Sequence, residues 1–302
     1  MRLTIGSRGS QLALWQANWV KDRLAALGYE AEIQVIRTTG DKMQGVPLTS
    51  AGAKGLFIKE IEEALIDHSI DLAVHSMKDL PTDQPEGLSV AAVPEREDPR
   101  DVLISRNGQL LRDLPATSRL GTSSLRRQAQ VRSLGREFEI VPVRGNLDTR
   151  LRKLDRGDCD ALILAAAGVH RLGLQNRITA YFAPEEMCPA VGQGALAIEV
   201  RLDDERTGQA VAPLDHRPTH LAVRAERATL HALGGGCQVP IAAYATLRGS
   251  ELHLIGLVAS VDGARIIRAA ASGPKDDPEN LGKRVARDLL AQGAQSILNS
   301  IP

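Results

Sequence analysis

Asp71-Leu-Ala-Val-His75-Ser-Met-Lys-Asp79-Leu-Pro81 reads as a short buried-type strand that runs into a polar turn and stops at a proline. A helical run, Lys59–His68, leads into it, so the local grammar is helix then strand. Working outward, the same alternation recurs. Leu3-Thr-Ile-Gly6 is strand-like and is followed by an amphipathic helix from Ser10 to Leu27, with Leu12, Trp15, Trp19 and Leu24 on one face. Ala31–Thr38, Leu88–Val93, Val102–Ser105, Arg119–Gly121, Phe138–Val143 and Ala161–Ala166 read as further strands. Helices are expected at Ser124–Leu134 and Asp148–Arg156. Alternation of this kind predicts α/β layers built on largely parallel sheets. At the carboxyl end of such a strand the side chains face a ligand crevice. Asp79 therefore points either at a bound molecule, with Ser76 and Lys78 beside it, or caps a following helix.

Two joints interrupt the alternation: the charged, proline-bracketed Pro94-Glu-Arg-Glu-Asp-Pro99, and Pro189-Ala-Val-Gly-Gln-Gly194, after which Ala195–Val200 looks like one more buried strand. A chain that leaves a domain, builds a second and returns would give residues 1–94 with 195–214 as domain 1 and residues 95–194 as domain 2. Beyond Pro218 the pattern changes. A helix, Thr219–Leu233, precedes a three-strand meander (Ile241–Leu247, Leu252–Ser260, Ala264–Ala271) and a final helix, Pro278–Leu298. Residues 215–302 thus read as a small α+β third domain.

With 302 residues, 43% hydrophobic and 25% charged, the composition is that of a globular protein of two or three domains. A net charge of +0 and 3% aromatics argue against a nucleic-acid or membrane-surface binder. The N-terminus lacks the apolar core of a signal peptide, and no apolar run reaches the roughly 18 residues of a membrane span. Three widely spaced cysteines, Cys159, Cys188 and Cys237, do not suggest a disulfide framework, and the cytoplasm is the expected compartment. His231 and Cys237 have no further His or Cys at ligand spacing, so no metal is expected.

The cations are unevenly chosen: 29 Arg stand against 8 Lys. Between Arg119 and Arg177 there are 11 Arg and 1 Lys against 6 acids. Arginine's planar fork suits carboxylates and phosphates, although salt-bridged helix surface accounts for residues such as Arg132, Arg136, Arg152 and Arg156. Gly121-Thr122-Ser123-Ser124-Leu-Arg126-Arg127 has the form strand, hydroxyl turn, helix start. Cations in a first helical turn oppose the helix dipole, so Arg126 and Arg127 imply a nearby anion. Arg144 and Arg150, around Gly145-Asn146, repeat the theme, as do Arg8 with Ser10, and Arg171. Four Arg-bearing strand ends point to one cleft for a polycarboxylate. The remaining signal is Leu233-Gly-Gly-Gly-Cys237-Gln-Val-Pro240, which is either a tight turn around a small buried Cys or a bare thiol to which something bulky attaches. The polar stretch Gly40–Gly55 is either a lid or a plain surface excursion.

In this order and spacing, the motifs Gly6-Ser-Arg8-x-Ser10, Lys54-Gly-Leu-Phe57, Asp71–Pro81, Gly121–Arg127, Arg144-Gly-Asn with Thr149-Arg150, Arg171-Leu-Gly-Leu, Gly192-Gln193-Gly194 and Gly235-Gly-Cys237 resemble the porphobilinogen deaminases of tetrapyrrole biosynthesis over essentially the whole chain. The resemblance implies three domains, the first two shaped like periplasmic binding proteins. It also implies a monomeric transferase that joins four porphobilinogen molecules head to tail, with loss of ammonia, and releases hydroxymethylbilane. Cys237 would carry the dipyrromethane cofactor through a thioether. Arg8, Arg126, Arg127, Arg144, Arg150 and Arg171, with Ser10, Ser76, Lys78, Thr122, Ser123, Ser124 and Gln193, would bind its carboxylates and those of the substrate. Asp79 would hold pyrrole N–H groups and stabilise positive charge as ammonia leaves and an azafulvene forms. Phe57 would pack against a ring, and the Gly40–Gly55 stretch would close over it. One departure is Gly234, where relatives often carry an acidic residue; Cys159 and Cys188 match no role in the resemblance. The competing reading, a non-catalytic periplasmic-type binding protein for a small polycarboxylate, accounts for the arginines and leaves Cys237 without a task.

Overall fold

The computed structural model describes residues 2–42, 58–235 and 239–300, so Phe57, Cys237 and most of the Gly40–Gly55 stretch lie outside the described residues. Along the chain come β1 (Arg2–Ser7), α1 (Gln11–Ala26), β2 (Glu30–Val35), α2 (Thr39–Lys42), α3 (Lys59–Ile66), β3 (Leu72–Ser76) and β4 (Leu88–Ala92). Next are β5 (Asp101–Ser105), β6 (Arg119–Gly121), α4 (Leu125–Arg132), β7 (Glu139–Val141), α5 (Leu147–Asp155), β8 (Ala161–Ala165), α6 (Ala166–Arg171) and β9 (Ala180–Tyr181). The chain closes with β10 (Leu196–Arg201), α7 (Glu205–Val211), α8 (Arg217–Ala232), β11 (Ile241–Arg248), β12 (Glu251–Ala259), β13 (Ile266–Pro274), α9 (Pro278–Ala291) and α10 (Ala294–Leu298). Two compact units result, Met1–Arg96 with Ala195–His220, and Glu97–Gly194 with Leu221–Pro302.

Among the described residues, the first unit's sheet has the order β2-β1-β3-β10-β4. Strand alternation covers both of its faces. Leu72 and Val74 of β3 join Leu3 and Ile5 beneath Ala17, Val20 and Leu24 of α1. On the opposite face, Ala73 packs with Ile61, Ala64 and Leu65 of α3. The sheet is therefore doubly wound, and each fully buried Leu or Ile contributes roughly 1.5–3 kcal/mol. The buried face of α1 is Gln16, Ala17, Val20 and Leu24, while Trp15 remains 36% exposed. Of the expected Leu12–Trp15–Trp19–Leu24 face, Leu24 is buried and Trp19 packs partly buried against the same core, whereas Trp15 lies at its exposed edge.

The second unit repeats this design with the order β7-β6-β8-β5-β9. Val102, Ile104, Leu162 and Leu164 pack under Leu151 and Leu154 of α5 and Val169 of α6. Leu103, Leu120, Ala161 and Ile163 face Val131 of α4 on the other side. In both sheets three parallel strands adjoin one that runs antiparallel, β10 in the first and β5 in the second. Both antiparallel strands directly follow a joint. Four strands of each of these sheets thus share one direction, as expected, and one opposes them: a strand arriving from outside the unit is not the product of a βαβ crossover, so nothing forces its direction.

The remaining sheet is the antiparallel meander β11-β12-β13. Its inner face, including Ala243, Ala245, Leu252 and Leu254, packs on Leu221 and Ala225 of α8 and Val285 and Leu289 of α9. The single final helix expected from the sequence is broken in two, because Gly293 adopts φ +93°, a left-handed conformation that ends α9.

Candidate active site

In the first unit, β3 ends at Ser76 and the chain turns through one 3₁₀ turn, Met77–Asp79. The turn is anchored from three directions. The Met77 N–H donates to the Ala195 carbonyl at 3.0 Å. Ser76 Oγ accepts from the amide of buried Gln16 at 2.9 Å. His75 Nε2 lies 3.2 Å from Glu199 Oε2 on β10. The outcome is a rigid base under an exposed tip: Met77 is 2% exposed, Lys78 is half-buried, and Asp79 is exposed. Asp79 thus sits exposed on a turn that backbone and side-chain hydrogen bonds hold in place.

Ser10 is the N-cap of α1, accepting from the Ala13 N–H at 3.3 Å. Arg8 forks onto Asp41, with Nη2 2.5 Å from Oδ1 and Nε 3.3 Å from Oδ2. Burial alone would raise the Asp41 carboxyl, but the Arg8 and Thr38 hydrogen bonds outweigh it and hold the group below the usual carboxylate range.

In the second unit the hydroxyl turn forms as its sequence implies. Thr122 Oγ1 accepts from the Ser124 N–H at 3.2 Å, Ser123 Oγ donates to the Val143 carbonyl at 3.2 Å, and Ser124 caps α4. Within the chain, Arg126 and Arg127 share one anion, Asp101. Both guanidiniums are buried, at 4% and 6% exposure, against fully buried Asp101. Arg126 Nη1 donates to Asp101 Oδ2 at 2.7 Å and to the Cys188 carbonyl at 2.6 Å. Arg127 donates to Asp101 Oδ1 from Nε at 2.9 Å and from Nη2 at 2.7 Å. Gln193 Nε2 completes the set, reaching Asp101 Oδ1 at 3.0 Å and the Pro99 carbonyl at 2.7 Å. Burial would push Asp101 up, yet the two guanidiniums hold it down to about 2.

Arg144 and Arg150 flank the start of α5 and are half-buried, with Arg150 Nε donating to the Gly145 carbonyl at 2.8 Å and Lys153 Nζ to the Arg144 carbonyl at 3.3 Å. Together with Thr122–Ser124 they make a cationic, hydroxyl-bearing edge. Arg171 is 7% exposed and braces the joint by donating to the carbonyl of Gly194, next to Gln193, at 2.7 Å. Burial lowers it to about 10 against the pull of Glu97. Gly194 is fixed as glycine twice over, by φ +89° and by the Glu97 carbonyl oxygen, which would sit 2.2 Å from any Cβ. Cys159 and Cys188 are buried, and desolvation raises their thiols to about 11 and about 12, which leaves them unreactive at neutral pH.

The structure thus brings together Arg126, Arg127 and Gln193 around Asp101, and Ser76, Lys78 and Asp79 on one turn. Sequence reasoning missed Asp101, Glu199, Gln16 and Asp41. A signal existed for the first two: each is an acid set inside an otherwise apolar strand, Asp101-Val-Leu-Ile and Ala197-Ile-Glu199-Val.

Two family models match the chain. The porphobilinogen deaminase dipyromethane cofactor binding domain matches residues 3–209, and the porphobilinogen deaminase C-terminal domain matches residues 220–291. A curated porphobilinogen deaminase from Syntrophobacter fumaroxidans is 52% identical over 301 residues, covering 99% of this chain and 97% of its own. Another, from Desulforudis audaxviator, is 53% identical over 299 residues, covering 98% and 96%. Among solved structures, a periplasmic substrate-binding protein of an ABC transporter from Coxiella burnetii overlaps with a TM-score of 0.44 at 15% identity, covering 74% of this chain and 96% of that one. A TRAP periplasmic solute binding protein from Desulfovibrio salexigens overlaps with a TM-score of 0.41 at 11% identity, covering 71% and 72%.

Proposed function

The chain belongs to the porphobilinogen deaminase family, and from that premise we propose that it joins four porphobilinogen molecules head to tail, with loss of ammonia, and releases hydroxymethylbilane. The observation that carries this reading is the match of both family domains across nearly the full length, with relatives more than half identical. Bound through Cys237, dipyrromethane would supply the pyrrole carbon onto which units are added. Its acetate and propionate groups suit the donor types found here, since Arg144, Arg150, Lys78 and the Thr122–Ser124 hydroxyls are half-buried or sit at strand ends.

In this reading Asp79 accepts the pyrrole N–H and stabilises the cation left when ammonia departs, a task suited to an exposed carboxylate on a fixed turn. Arg8, Ser10, Arg144 and Arg150 hold substrate carboxylates. Arg126, Arg127, Arg171 and Gln193 belong to the same set, and their buried contacts favour orientation of neighbouring groups as their main contribution. Residues 1–94 with 195–214, 95–194 and 215–302 act as three domains; the core around Leu162 takes no residue from 215–302, which supports dividing the second unit, while Ala129 and Cys188 pack with Ala242, Leu257 and Ala259 across that division. Phe57 and most of the Gly40–Gly55 stretch lie outside the described residues, and their parts as ring contact and lid rest on the resemblance alone. A monomer in the cytoplasm, working without nucleic acid or membrane, fits the net charge of +0 and the absence, among the described residues, of a helix long and apolar enough to cross a bilayer.

Intact-mass measurement tests the reading. The purified protein is expected to weigh more than its sequence by two pyrrole units, and Cys237→Ser to lose the increment. A native mass equal to that of the polypeptide, together with no consumption of porphobilinogen, overturns it and leaves the binding-protein alternative.

A further inference from the structure

One buried carboxyl group touches both ends of the segment that carries Asp79. Glu199 is fully buried in the middle of β10. Its Oε2 is 3.2 Å from Nε2 of His75, four residues before Asp79. Its Oε1 accepts from Nε2 of Gln84, five residues after Asp79, at 3.1 Å. His75 is 6% exposed, whereas Gln84 is partly buried just before Pro85. The end of β3 and Gln84 thus stand on one carboxyl group, and the exposed Asp79 lies on the turn between them.

The arrangement costs something that packing alone would not require. Strand β10 is apolar on either side of Glu199, and an apolar residue there would satisfy the core without burying a charge. A third acid, Glu62 of α3, lies against the same group. Its Oε1 is buried with no hydrogen-bond partner among the described residues, and burial together with the Glu199 charge raises it to about 7. A sheet position that keeps a carboxyl group beside a second one is held there by what the carboxyl group does for its other neighbours.

We propose that Glu199 is the positioning residue for Asp79, closing the His75–Gln84 segment through its two oxygens so that the Asp79 carboxylate is held at a fixed height above the strand end. The inference rests on the reading of Asp79 given above. Removing one of these contacts lets the turn shift, and a shift of about 1 Å at a reacting group costs on the order of a hundredfold when the group acts in the transition state. Binding of substrate carboxylates by arginines is left alone, so kcat falls and KM does not.

The test compares Glu199→Gln, Gln84→Ala and Asp79→Asn as full-length, primer-loaded proteins. Intact mass establishes equal loading, and thermal melting establishes folding. Glu199→Gln is expected to lower kcat about tenfold or more with KM within about twofold, and Gln84→Ala to lower kcat about threefold. Gln84 is partly exposed, so Gln84→Ala carries the test should Glu199→Gln fold poorly. Both variants turning over within twofold of the parent, while Asp79→Asn is inactive, overturns the proposal. A loss in kcat matched by equal losses in primer loading or in KM also overturns it. Near-normal turnover by Asp79→Asn removes the reading of Asp79 itself, a failure distinct from that of the brace.

Discussion

The two five-stranded sheets share one strand order and solve opposite electrostatic problems. In the first, a buried acid on the antiparallel strand supports an exposed acid on a turn: Glu199 lies below, and Asp79 is open to solvent. In the second, the antiparallel strand also carries a buried acid, Asp101 at its start, but it is spent on two buried arginines of α4. The lesson is that charge in a strand-end cluster is not by itself a binding site. Exposure separates groups committed to the fold from groups left for a ligand. By that rule the exposed Asp79 differs from the fully buried Asp101 and Glu199.

The largest break in the comparison comes from Asp101→Asn, which leaves two guanidiniums buried without their counter-charge. A loss of about 3–5 kcal/mol is expected, read as a fall in the denaturation midpoint at constant m. Adding Arg126→Leu and Arg127→Leu should restore part of it. The acid limb supplies a sign. Because the folded Asp101 carboxyl is held to about 2, below its ordinary 3.8, its stabilisation is complete above pH 4 and drains away as pH falls towards 2. The parent should show that loss, and the triple variant should not.

Arg144→Ala probes the ligand side. It should lower kcat/KM for porphobilinogen by about tenfold and move the melting temperature by only a degree or two. Unchanged kinetics would transfer Arg144 to the scaffold.

The smallest effect sharpens the first sheet. The Glu62 carboxyl is raised from 4.5 to about 7, so the folded state holds a proton that the unfolded chain has released. Stability therefore falls as pH rises from about 4.5 through 7. Glu62→Gln, which mimics the protonated form, should melt about 2–4 °C above the parent at pH 8 and converge with it near pH 5. An equal difference at both pH values would mean that packing, and not charge, is responsible.

Much of this was legible in the residues. Alternating strands and helices, both joints, the meander and the hydroxyl turn before α4 follow from local periodicity and turn chemistry. Strand direction did not, because β3 and β10 pair across more than a hundred residues and nothing in Ala195–Val200 states which way it runs. Asp101, heading an apolar strand, was an overlooked partner for Arg126 and Arg127. Gly293, inside a helix-like run, was the overlooked sign of a break. Cys237, Phe57 and the Gly40–Gly55 stretch are left where the sequence put them, as expectations.

Strand β10 lies between β3 and β4, which are neighbours in sequence. A ribosome must therefore release more than a hundred residues beyond β4 before the slot between them can be filled. Until then, β3 and β4 each keep an open edge ready to pair with any other chain, and the Asp79 turn has no Glu199 beneath it. The slot in the first sheet thus closes late, as the final third of the polypeptide emerges, and unpaired strand edges of this kind are prone to aggregate in the interval.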